Sequence, residues 1–142
     1  MEGFLPARSG HTLALLDEST LFCVGGYDGT RRFGDAWCMD CDTELWTEMA
    51  VDGDAFRGRA GHVMGRSADG SFVIGLGYAS DRELLGCMHR MRVSPDRRAV
   101  AVERIETKTS IARRWASAAM LDVGLVVACG WNETGPLNGQ KS

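Results

Sequence analysis

The chain has 142 residues, 44% of them hydrophobic and 25% charged, with a net charge of −3, which suits one domain with a packed core and argues against disorder. No apolar run reaches the roughly 18 residues of a membrane-spanning helix, and none of signal-peptide length opens the chain, so a soluble, intracellular, cytoplasmic protein with no membrane association is expected. Five cysteines, odd in number and irregularly spaced, point to reduced thiols rather than a disulfide framework.

In chain order, HTLALL (11–16), TLFCVGG (20–26), DAWCMD (35–40) and LWTEMA (45–50) are short apolar or alternating stretches. They are separated by Asp-Glu-Ser, Tyr-Asp-Gly and Asp-Thr-Glu, residues that favour turns through left-handed backbone or local side-chain hydrogen bonds. Four strands are predicted. GHVMG (61–65), SFVIGLG (71–77), CMHRMRV (87–93) and AVAVERI (99–105) repeat the plan, with turns at Ala68-Asp69-Gly70 and Ser94-Pro95-Asp96.

Sliding the chain along itself by 51 residues places Arg59 on Arg8, Gly61 on Gly10, His62 on His11, Gly77 on Gly26 and Tyr78 on Tyr27. A weaker third copy sets Arg114 at the Arg place, Ala116-Ser117 at the Gly-His place, Gly130 at the second Gly and Trp131 at the Tyr. It is two residues shorter, a loss expected in the turn at Leu121 to Gly124. A four-stranded unit recurring about every 50 residues has the period of a propeller blade.

Arg8-Ser9-Gly10-His11, then Gly25-Gly26 closing an apolar strand, then Asp35 and Trp37, then Trp46 opening the last strand resemble a kelch repeat. The second unit keeps Arg59, Gly61, His62 and Gly77, while Leu76 replaces the first Gly. The resemblance implies an all-β chain, an incomplete kelch-like β-propeller of about two and a half four-stranded antiparallel blades. Blade 1 is expected at about 6–53, blade 2 at about 57–107 and a partial blade 3 at about 112–135, with 136–142 as a tail. Gly25 and Gly26 would permit a close backbone approach, and Trp37 and Trp46 would fill the wedge between neighbouring sheets. His11, His62, Arg8 and Arg59 recur at equivalent positions and are read as scaffold, because a catalytic group is needed once and a scaffold group once per blade.

The function implied is a protein–protein interaction scaffold or adaptor, with another protein as partner and no cofactor, metal or catalytic residue assigned. The alternative is the propeller portion of a kelch-type enzyme, an oxidase or a sugar- or small-molecule-modifying enzyme. Propellers close with four to eight blades. The chain is therefore expected to be a fragment of a longer protein, the other arrangements being a homo-oligomer that closes the ring or an open stack. Binding is expected in loops that vary between blades, here Tyr27, Asp28, Arg31 and Arg32, and the corresponding Ser80, Asp81 and Arg82.

Charge is unevenly spread: residues 1–54 sum to −8 and residues 55–114 to +6. Arginine-rich HRMRVSPDRR (89–98) suits planar anionic partners, but nucleic acid is an unlikely partner for an acidic chain, and a contact between acidic and basic units of neighbouring copies explains the asymmetry as well. Cys38-Met39-Asp40-Cys41 has the spacing of a zinc or redox pair, yet has no second pair, and residues three apart on a strand face opposite ways. Gly75-Leu76-Gly77 followed by Ser80 lacks the third glycine of a dinucleotide loop. Asn132-Glu133-Thr134 matches a glycosylation sequon, which matters only in a secreted protein.

Overall fold

The computed structural model describes residues 2–107, 112–122, 124–132, 134–137 and 140–141. Among them all regular structure is strand: β1 (Glu2–Gly3), β2 (Thr12–Asp17), β3 (Thr20–Val24), β4 (Ala36–Asp40), β5 (Leu45–Gly53), β6 (Val63–Arg66), β7 (Phe72–Gly75), β8 (Tyr78–Ser80), β9 (Glu83–Leu84), β10 (Met88–Val93), β11 (Ala99–Ile105), β12 (Ser117–Leu121), β13 (Gly124–Ala128), β14 (Trp131–Asn132), β15 (Gly135–Pro136) and β16 (Gln140–Lys141). Strands β2 to β5 form one antiparallel meander, and β6, β7, β10 and β11 form a second. These are the first two blades, and the expected strands are present in both.

The blades join edge to edge through their last strands. β5 runs past β4, and its final residues pair in parallel with β11, from Ala50 with Ala99 to Gly53 with Val102. Gly53 is required there: its φ is 101°, and a Cβ would lie 2.3 Å from the Val102 carbonyl oxygen. The blades also pack face to face, because alternate residues of a strand point to opposite sides. Leu16, Phe22, Val24, Ala36, Cys38 and Met49 of the first blade meet Phe72, Ile74, Met91, Val100 and Val102 of the second. Phe22 and Phe72 stack at 4.8 Å between ring centroids.

The wedge is thus filled by these residues and not by the tryptophans expected there. Trp37 lies between Ala36 and Cys38 and so points away from the second blade, buried on the first blade's other face. Trp46, paired with Met39, shares that face and is half-buried.

The second blade's far side, Val63, Val73, Leu76 and Met88, packs on Leu125 and Val127 of the third unit. That unit was expected to stop before its third strand, with a tail from residue 136. Instead β16 pairs with β13, and Pro136 of β15 pairs with Trp131.

The third unit's register also differs from the expected one. The Gly61 amide donates to the Gly10 carbonyl (2.9 Å) and the Trp115 amide to the Gly61 carbonyl (2.8 Å); all three have left-handed backbone, φ 67°, 63° and 56°. Trp115 therefore stands at the Gly10 place, and Arg113, not Arg114, at the Arg8 place. From Thr12 to its partner Val24, and from Val63 to Gly75, the chain advances equally. Ser117 to Ala128 is one residue shorter: the third hairpin lacks the bulge that β2 has between Leu15 and Asp17, and it also lacks the wider turn of the second hairpin, which has no bulge.

Candidate functional site: the loop end of the blades

Each blade begins with an arginine that ties the start of its first strand to the end of its second. Arg8 Nη1 donates to the Gly25 carbonyl (3.0 Å) and Arg59 Nη1 to the Leu76 carbonyl (3.2 Å), while Arg113 Nη1 donates to the Cys129 carbonyl (2.9 Å). The three acceptors share left-handed backbone at 69°, 62° and 60°. Leu76 and Cys129 thus adopt the conformation for which Gly25 is suited. Gly26 and Gly77 follow, and a Cβ on Gly77 would come within 2.6 Å of the Ala60 carbonyl oxygen.

In the first blade Arg8 also binds Asp35 through both terminal nitrogens (2.7 and 3.0 Å), and Trp37 Nε1 donates to the same carboxylate (2.7 Å). His62 Nε2 bonds Thr12 Oγ1 of the preceding blade at 2.8 Å. Burial, reinforced by the Arg59 charge, pushes the His62 pKa down to about 3. His11, the equivalent residue, is exposed on the first blade's outer face, with no hydrogen bond among the described residues. The two histidines are therefore not equivalent in use: one links blades and the other faces solvent.

The meander topology puts the β3–β4 loop, which holds Tyr27 to Arg32, at the same end as the second blade's loop, which holds Ser80 to Arg82. They touch. The Arg32 guanidinium lies 4.2 Å from the Tyr27 ring centroid and 5.0 Å from that of Tyr78, and it forms an ion pair with Asp81. Arg57 pairs with Glu83 alongside. With its side chain only 12% exposed, Arg32 is a staple between loops.

Asp28 orders its own loop, accepting from the Thr30 and Arg31 amides at 2.8 Å each, and these bonds hold its carboxyl below the usual range. The Tyr27 hydroxyl donates to the Gly29 carbonyl (2.7 Å), and Ser80 Oγ accepts from the Arg82 amide (3.3 Å). Arg31 and Arg82 are exposed, and Arg31 reaches back over Phe33 at 4.7 Å.

Sequence reasoning missed Trp115. The residue is 51% exposed; its ring lies over Gly10 and Gly61 and sits 5.9 Å from the Tyr78 ring, while the Arg114 guanidinium lies over Tyr78 at 5.1 Å. The Arg113-Arg114 pair was the available signal, and taking its second member as the repeat arginine hid the tryptophan's place. Cys38 is buried whereas Cys41 is exposed in a turn, so the two are not arranged as a joint ligand pair. Among the described residues no group of three or more His, Cys, Asp or Glu is placed to hold a metal ion.

Residues 7–50 match the family described as Kelch motif. A 71-residue stretch is 32% identical to Kelch domain-containing protein 9 of Mus musculus, covering 49% of this chain and 20% of that protein. The match therefore spans about a fifth of the relative's length. The first blade of this chain coincides with the matched motif and the second repeats the same Arg, Gly and His framework, so residues 7–50 carry a kelch motif and the likeness supports a kelch-repeat architecture.

Proposed function

We propose that this chain is a segment of a larger kelch propeller, acting inside the cell as a scaffold that holds another protein against the loop end of its blades. The observation that carries the reading is the Arg32 staple: a guanidinium between Tyr27 and Tyr78 and paired with Asp81 locks loops of successive blades into one surface. Preorganised loops on a rigid scaffold bind at lower entropic cost. Arg31 and Arg82 on that surface are exposed and able to meet a partner's carboxylates. The enzymatic alternative shares the fold, and no observation favours it.

The test compares proteins retained by the wild-type chain with those retained by the Arg31→Glu/Arg82→Glu variant, checked for unchanged circular dichroism. Loss of at least one retained protein is expected. Retention of every one by the folded variant contradicts the reading.

A further inference from the structure

The first two blades correspond around the arginines that open them, and one substitution stands out. The Gly25 amide donates to the Asp35 carbonyl and the Leu76 amide to the Cys87 carbonyl. Cys23 pairs with Trp37, and Ile74 with His89. Cys87 and His89 thus occupy the places of Asp35 and Trp37. Arg59 is fully buried, and its guanidinium donates to the Arg57 carbonyl (3.0 Å), the Leu76 carbonyl (3.2 Å) and Cys87 Sγ (3.5 Å) while lying 4.3 Å from the Phe56 ring centroid. Where Arg8 has a carboxylate, Arg59 has a thiol, and no carboxylate pairs with it among the described residues. A buried cation without a counter-charge is costly.

A second observation marks the same spot. His89 is 2% exposed, and its Nδ1 has no hydrogen-bond partner; Nε2 bonds the Ala55 carbonyl, and the ring meets Phe56 edge-on at 5.3 Å. Two residues beyond Cys87, it shares that residue's side of the chain and shares Phe56 with Arg59. The other cysteines differ. Cys23 is fully buried, its thiol pushed up to about 11 by desolvation; Cys38 is buried and raised by the same cause. Cys41 stands between Asp40 and Asp42, and Cys129 is exposed. Cys87 is partly exposed, and its sulfur faces the guanidinium.

We propose that Cys87, whose sulfur faces the buried Arg59 guanidinium, is a peroxide-sensitive modification site of the second blade, independent of what the loops bind. The Cys87 sulfur gives up its proton to solvent and attacks one oxygen of hydrogen peroxide. A sulfur–oxygen bond forms and the oxygen–oxygen bond breaks; hydroxide departs and takes up a proton as water. Sulfur is oxidised to the sulfenic acid and peroxide is reduced.

The experiment treats the full chain with limiting hydrogen peroxide, traps sulfenic acid with dimedone and quantifies each cysteine by peptide mass spectrometry. Cys87 is expected to label about ten-fold faster than the more exposed Cys41 and Cys129; equal or slower labelling overturns the proposal. A companion measurement asks whether an anion is missing at this place. Cys87→Asp is expected to melt a few degrees above Cys87→Ser, and a Tm at or below that of Cys87→Ser overturns the proposal as well.

Discussion

Arg8 is buried, and Asp35 accepts from both of its terminal nitrogens, so removing the carboxylate leaves a guanidinium without counter-charge in a dry place. Asp35→Ala is expected to cost about 3–5 kcal/mol in urea unfolding, and a loss below about 1 kcal/mol would contradict the role given to the pair. His62 supplies a pH signature. Its folded pKa of about 3 lies below the ordinary 6.5, so between these values the unfolded chain binds the extra proton. Stability is then complete above pH 6.5 and is lost as pH falls toward 3, with a slope of up to about 1.4 kcal/mol per pH unit. His62→Asn should flatten that slope in urea titrations at mildly acidic pH; an unchanged slope would show that another group carries it. His89, also lowered mainly by burial, accounts for the slope that persists in the variant.

At the scale of strands and loops, the Phe22–Phe72 stack is the centre of the contact between blades, and Phe72→Ala is expected to cost about 3–5 kcal/mol. The Arg32 staple is weaker, at about 1–2 kcal/mol for a partly desolvated cation–π contact. Arg32→Met should lower Tm by a few degrees while speeding amide exchange at Asp28 to Arg31, and unchanged exchange would separate the loops' order from the staple. The two complete meanders were legible in the sequence because turn residues punctuate apolar stretches. Which face each residue takes was not legible. Alternation says that Trp37 opposes Ala36 and Cys38, but only the neighbouring blade decides which side is the wedge, and the smaller pair won. The third register was hidden because its hairpin is one residue shorter than the other two, without the bulge of β2–β3 or the wider turn of β6–β7, and neither device shows in the pattern of apolar positions.

Across the whole molecule, the opposite charges of the first two units meet within one chain. Arg97 Nη2 reaches Asp17 Oδ2 at 2.5 Å at one end of the blades, and Arg32 reaches Asp81 at the other. Only the Arg97–Asp17 pair follows the asymmetry, since Arg32–Asp81 joins a base of the acidic unit to an acid of the basic one, and solvent-exposed ion pairs add little stability. The first blade's outer face shows the same construction left open. Met64 of the second blade packs against the shared core, whereas its equivalent Leu13 is 50% exposed and Leu15 beside it 58% exposed. The described faces of the first two blades are shaped to be covered by another sheet, and an uncovered apolar face favours association. Light scattering on the purified chain, with circular dichroism on the same sample, shows whether the open face associates. A β-rich, self-associating chain that a Leu13→Glu/Leu15→Glu variant converts to a folded 15.4 kDa monomer is the predicted result. A stable wild-type monomer whose mass and fold the two substitutions leave unchanged would contradict it.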